Sequence, residues 1–307
     1  MMPATDLNKF KGIIVAINSC YDANGNVSPE AVGKLTQFLA SRGVRGVYVG
    51  GSTGEGPLQS AEERKLVLEA VMAAKPEHLT VIAHVGAITT RESAELARHA
   101  ESVGADAISS VPPFYYRVSE RGVEEHWASI MKASSLPFII YHIPSATGFS
   151  LTKQLLRKML EYPQTIGVKI TTPSAYELQQ FKAVGGPDFL LFNGPDEQLL
   201  AGLSVGADAG IGGTYGIMPE LFVALYDAFK QGNLAEAQKL QNRINEIISE
   251  LLDMPIYGAI KALMKMRGID CGEPRLPIEP VREEHMPALH KLYEKLTNYI
   301  EQAGAKA

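Results

Sequence analysis

Phe138-Ile139-Ile140-Tyr141 and Ile166-Gly167-Val168-Lys169-Ile170 are short, almost wholly apolar runs with one amphipathic stretch of about a helix's length between them. An apolar run without polar alternation belongs to a strand covered on both faces, as in a parallel sheet. The unit recurs along the chain. Runs at 12–18, 46–49, 80–84, 107–111, 138–141, 166–170, 189–193 and 207–211 begin roughly 20–35 residues apart, the size of one strand-plus-helix unit. Three amphipathic stretches end in glycine and lead into a strand: Arg42-Gly43-Val44, Val103-Gly104-Ala105 and Val205-Gly206-Ala207. Glycine closes a helix there because it takes positive φ without a Cβ clash. Ser60-Ala61-Glu62-Glu63 fits a capping box, and Ser28-Pro29-Glu30 puts proline at a first helical position.

Eight such units fit either a closed barrel or an open doubly wound sheet, and the count of eight favours the barrel. Beyond residue 232 the pattern is helical only, at 234–252, 256–266 and 285–302. The expected architecture is a (β/α)₈ TIM barrel over 1–232, with a C-terminal helical extension, 233–307, packed on it as one structural unit. In either sheet topology the chemistry belongs at the carboxyl ends of the strands.

Composition narrows the class. The chain has 307 residues, 46% hydrophobic and 21% charged, which is ordinary globular usage. Two cysteines, Cys20 and Cys271, make no disulfide framework, which fits a reducing compartment. The start, MMPATDLNKF, lacks an apolar run of signal-peptide length, and no stretch reaches the length of a membrane span. A cytoplasmic protein is expected. Net charge is -5 with scattered basic residues, so nucleic acid is not an expected partner.

Four strand ends carry candidate chemistry. Gly50-Gly51-Ser52-Thr53-Gly54-Glu55 follows the second strand; its glycines and hydroxyls suit an anion, a carboxylate rather than a nucleotide phosphate since no Gly-Lys-Ser/Thr follows. A plain strand-to-helix turn is the other reading. Lys169 stands near the end of an apolar strand, where lysine is rare. An amine withdrawn from water gives up its proton more readily, and a neutral amine attacks a ketone to form a Schiff base. Alternatively, its stem lies on the barrel and its ammonium reaches water. Tyr141 ends the neighbouring strand, either as a proton relay or as a core tyrosine. Asn193-Gly194-Pro195-Asp196-Glu197 supplies paired carboxylates, for sugar hydroxyls or simply for a helix N-terminus. The histidines His78, His84, His99, His126, His142, His285 and His290 form no HxH or HExxH, so no metal site is expected.

Together, Gly50-Gly51-Ser52-Thr53-Gly54-Glu55, Tyr141-His142-Ile143-Pro144, Gly167-Val168-Lys169 and Gly194-Pro195-Asp196-Glu197 resemble the family of N-acetylneuraminate lyase and dihydrodipicolinate synthase, in order and spacing over nearly the whole chain. The resemblance implies a (β/α)₈ barrel with C-terminal helices, no metal or other cofactor, and a homotetramer. It assigns Lys169 as the Schiff-base lysine, Tyr141 as the proton relay, and Ser52 and Thr53 as the pair binding the pyruvate carboxylate and joining the relay. Tyr115, in Pro113-Phe114-Tyr115-Tyr116, resembles the tyrosine lent by a neighbouring subunit.

Ala146 stands where dihydrodipicolinate synthases carry an arginine, which removes a bidentate carboxylate clamp. The spelling Gly50-Gly51-Ser52 and the pair Asp196-Glu197 look like the sialic acid lyase branch. That branch implies reversible cleavage of N-acetylneuraminate to N-acetylmannosamine and pyruvate. Gly51 would then line the carboxylate loop, Thr171 would stand near the reacting hydroxyl, and Gly194, Asp196 and Glu197 would hold the glycerol tail. Three residues depart from the branch: Gly213 replaces a serine that contacts the tail, His142 an asparagine, and Pro195 a residue that is often aromatic. An aldolase for 2-keto-3-deoxy sugar acids is the nearest alternative. A non-catalytic keto-acid-binding protein and a metal-dependent barrel hydrolase are rivals from other classes.

Overall fold

The computed structural model describes residues 6–304, so the outer ends of the expected division, 1–5 and 305–307, lie outside the described residues. Eight parallel strands close into a barrel in chain order: β1 Gly12–Ala16, β2 Gly46–Val49, β3 Thr80–His84, β4 Ala107–Ser110, β5 Phe138–His142, β6 Thr165–Ile170, β7 Leu190–Asn193 and β8 Ala209–Gly212. The expected TIM barrel is the observed fold, and the open sheet is set aside. All but one of the strand residues are buried, which explains why the runs are continuously apolar.

Helices intervene: α1 Pro29–Ser41, α2 Ala61–Ala74, α3 Thr90–Ser102, α4 Glu120–Ala133, α5 Pro144–Thr147, α6 Lys153–Met159, α7 Ala175–Gly185, α8 Leu199–Ser204 and α9 Pro219–Lys230. Three more follow, α10 Leu234–Leu252, α11 Ile256–Met266 and α12 Met286–Gln302. Ser60 and Glu63 form the expected capping box on α2, and Ser28 caps α1 with Pro29 in its first turn. Gly43, Gly104 and Gly206 take φ of 79°, 82° and 105°.

Strand ends shift by a residue or two where local bonds compete. β8 starts at Ala209 rather than 207, because the Ala207 N–H donates back to the Gly202 carbonyl at 2.9 Å in the closure of α8. β1 stops at Ala16 rather than 18, and the next side chains turn to a loop: Asn18 Nδ2 donates to the Thr53 carbonyl (3.4 Å) and Ser19 Oγ to that of Gly54 (2.7 Å). The last helix starts at Met286 rather than 285, with His285 closing a 3₁₀ turn.

The chain comprises two compact units, Met1–Gly12 with Thr80–Ile211, and Ile13–Leu79 with Gly212–Ala307. In the first, α3 packs on α4, α4 on α6 and α6 on α7. In the second, α1 packs on α2, and α10 contacts α9, α11 and α12. The second unit also buries charge in pairs: Arg267 grips Glu220, and Lys261 Nζ lies 2.7 Å from Glu55. Breaking either pair from one side strands a charge away from water. Cys20 and Cys271 meet there as buried free thiols, and their mutual hydrogen bond, then burial, raises the Cys20 pKa. Among the described residues no helix is long and apolar enough to cross a membrane.

His126 on α4 gives the first unit an acid-sensitive point. The residue is buried, its Nδ1 is 2.9 Å from Thr90 Oγ1, and burial pushes its pKa down from 6.5 to about 4. Between those values the unfolded chain binds a proton that the native chain refuses, so stability falls on acidification through that window, by at most about 3 kcal/mol from this group. Urea midpoints at pH 7 and pH 4.5 should therefore lie closer together in His126→Gln than in the parent. An equal separation would remove His126 as the cause.

Candidate active site

β5 and β6 place the lysine and the tyrosine together because their register pairs Tyr141 with Lys169. Both side chains are buried, at 3% and 5% exposure, so the lysine stem does not carry its amine out to bulk water. Lys169 Nζ lies 4.1 Å from the centroid of the Tyr141 ring. His84, the last residue of β3, meets the same ring edge-on at 5.9 Å and 83°. Its Nε2 accepts the Val111 N–H at 3.4 Å, so the ring proton sits on Nδ1. His84 ends its strand as Tyr141 nearly does, but no local motif in the sequence singles it out.

Thr171 follows β6. Its Oγ1 is buried and has no hydrogen-bond partner among the described residues. A Cβ at position 194 would stand 2.1 Å from that oxygen and 2.6 Å from the Ile170 carbonyl, so only glycine fits opposite it. The Gly194 N–H donates to Ile170 O at 2.8 Å, which fixes the approach. Asp196 and Glu197 start the 3₁₀ turn after β7, but Asp196 is buried and Glu197 exposed, so the two carboxylates meet different surroundings. His142, next to Tyr141, is 2% exposed. Burial lowers its pKa and the Glu177 carboxylate works against that shift. Sequence reasoning did not single out Glu177 or Thr172, both of which contact this cluster.

Tyr115 is 84% exposed with φ of 82°, a left-handed backbone that a bulky non-glycine residue rarely holds. Such strain persists only where the surroundings enforce it, and it clusters at functional sites. Its ring packs edge-to-face on the exposed Tyr116 at 5.1 Å.

In the other unit, the 50–55 loop is built on close backbone approaches. A Cβ on Gly51 would lie 2.8 Å from the Tyr48 ring, and one on Gly56 would lie 2.1 Å from Gly50 O. Ser52 is exposed and Thr53 half-buried. The loop spells Gly-x-Ser-x-Gly, the pattern of a serine-hydrolase elbow. Here positive φ falls on Gly50 (75°) and Glu55 (54°), not on the serine, so Ser52 lacks the strained turn of a nucleophile elbow. The Glu55 carboxylate is anchored by Lys261 and by the Arg275 N–H at 2.8 Å. Gly213 lies beside Thr53: a Cβ there would be 2.5 Å from Thr53 Oγ1, so the threonine hydroxyl fills the space a serine side chain would need. Among the described residues no three His, Cys, Asp or Glu side chains group as a metal site.

Comparisons with known proteins agree over the chain's length. The N-acetylneuraminate lyase of Mediterraneibacter gnavus is 44% identical over 285 residues, 92% of this chain and 90% of that protein. That of Rhizobium meliloti is 38% identical over 300 residues, 97% of this chain and 99% of that protein. A solved structure described as a Ruminococcus gnavus sialic acid aldolase catalytic lysine mutant superposes with a TM-score of 0.95 at 41% identity, covering 97% of this chain and 99% of that one. The profile of the dihydrodipicolinate synthetase family matches residues 9–296, and with these relatives it establishes that the chain belongs to that family.

Proposed function

We propose that this chain is a Schiff-base aldolase that cleaves N-acetylneuraminate reversibly to N-acetylmannosamine and pyruvate. The observation that carries the reading is the buried Lys169 amine, 4.1 Å from the Tyr141 ring at the paired tips of β5 and β6. The relatives named N-acetylneuraminate lyase support the choice of substrate.

The Lys169 amine attacks the C2 ketone of the open-chain sugar acid, and the carbinolamine hydroxyl takes up a proton and leaves as water to give an iminium. The C3–C4 bond breaks as its electron pair moves into the iminium, and the C4 hydroxyl loses its proton. Tyr141, with the substrate carboxylate and the hydroxyls of Ser52 and Thr53, carries that proton. The enamine is then protonated at C3 and hydrolysed, which releases pyruvate and free Lys169. Gly51, Ser52 and Thr53 hold the carboxylate and so hold C2 at the amine; such positioning is worth several kcal/mol, roughly 7–11 at best. Thr171 faces the C4 hydroxyl, and Gly194, Asp196 and Glu197 take the glycerol tail. Gly213 offers that tail no hydroxyl. Tyr115 serves the site of a neighbouring copy, which calls for an oligomer, the homotetramer that the family resemblance implies. The enzyme works in the cytoplasm on a keto-sugar acid and pyruvate.

Pyruvate release from N-acetylneuraminate, set beside release from shorter 2-keto-3-deoxy sugar acids, tests the substrate. N-acetylneuraminate is expected to give the highest kcat/KM. A higher value for a shorter acid would move the assignment to the 2-keto-3-deoxy sugar acid aldolases, the reading that the missing Gly213 side chain favours. Ala146, exposed and without a guanidinium, argues against dihydrodipicolinate synthase.

A further inference from the structure

We infer that His142 is a positioning residue for Thr171, holding the threonine hydroxyl where the sugar half of the substrate reacts. The inference rests on the reading of Thr171 given above.

Thr171 Oγ1 makes no hydrogen bond among the described residues, so the backbone beneath it sets its position. That backbone is tied to His142 on both sides. The Thr171 N–H donates to the His142 carbonyl at 2.9 Å. The next residue, Thr172, donates its hydroxyl to Glu177 Oε2 at 2.5 Å, and Glu177 Oε1 lies 3.4 Å from His142 Nε2. The imidazole is itself held in place. Its Nδ1 accepts the Leu151 N–H at 3.4 Å, which leaves the ring proton on Nε2, whose 3.4 Å approach to Glu177 is a charge–dipole contact outside hydrogen-bond geometry. Phe181 packs edge-on against the ring at 5.8 Å. Glu177 is fixed from its own side, because its backbone N–H donates to Ser174 Oγ at 3.1 Å in the cap of α7. A closed loop of contacts therefore runs from the His142 carbonyl through residues 171 and 172 to Glu177 and back to the His142 ring. Side chains alternate along a strand, so the imidazole acts on the opposite face of β5 from Tyr141. Lys169 and Tyr141 are paired by the strand register itself, upstream of this clip.

The two halves of the reaction should therefore respond differently. Removing the clip loosens residue 171 and leaves amine and phenol in place. His142→Phe removes both ring-nitrogen contacts and keeps an aromatic ring against Phe181. It should lower kcat for N-acetylneuraminate cleavage about 10-fold or more, while borohydride trapping of pyruvate stays within about 2-fold. Glu177→Gln, a milder variant outside the core, should give the same split with a smaller loss. Thr171→Ala should reproduce the split, and His142→Phe added to it should cost little more, since both act through one hydroxyl. Equal loss of cleavage and trapping in His142→Phe, or additive losses in the double variant, would overturn the inference. A Thr171→Ala enzyme with undiminished turnover would remove the reading of Thr171 beneath it. Loss in Thr171→Ala with none in His142→Phe or Glu177→Gln would reject the positioning role alone.

Discussion

Lys169→Met is expected to abolish pyruvate release from N-acetylneuraminate, with turnover falling on the order of 10⁴-fold or more, the scale on which loss of a covalent nucleophile is felt. No other group in the proposed mechanism forms the iminium, and without it the C3–C4 electron pair has nowhere to go. The fold should survive, because methionine is unbranched, apolar and adaptable, and the side chain it replaces is 5% exposed. Thermal unfolding should show Lys169→Met as a folded, cooperatively melting species. A variant that folds, binds pyruvate and still turns over would remove the lysine from the chemistry.

Tyr141→Phe should separate carbonyl capture from bond cleavage. The ring remains, and with it the 4.1 Å contact to the amine and the edge contact to His84. Only the hydroxyl is lost. Removing a positioned proton carrier costs about 10²–10⁴ in rate, so kcat for cleavage should fall in that range. Pyruvate capture by Lys169 should change by less than about 10-fold, since condensation leans less on the relay than does deprotonation of the C4 hydroxyl. Parallel rate measurements of pyruvate release and borohydride trapping decide the point. Equal losses would make Tyr141 a structural residue beneath the lysine.

The barrel was legible because its signal is local and repeated. β2 and β3 match their apolar runs to the residue, as does the Ser60 capping box on α2. Lys169 and Tyr141 were legible because a polar group in an apolar strand near its end is conspicuous, and the two runs lie one unit apart. What stayed hidden depends on which way a side chain turns. Asp196 and Glu197 are adjacent letters, yet one is buried and the other exposed. His142 reads only as a departure from a pattern; its link to Glu177 arises because β5 turns it away from Tyr141, and no spacing rule joins residues 142, 172 and 177. Cys20 and Cys271 read as isolated residues until the chain brings them into contact. The left-handed backbone at Glu55 is likewise invisible in a stretch whose glycines are the expected carriers of positive φ.

Borohydride reduction in the presence of pyruvate, followed by peptide mass mapping, addresses the lysine most directly. The expected product is a single stable adduct, on the peptide that contains Lys169, formed in the parent and in Tyr141→Phe and missing from Lys169→Met. An adduct on another lysine, or turnover with no adduct at all, would contradict the account.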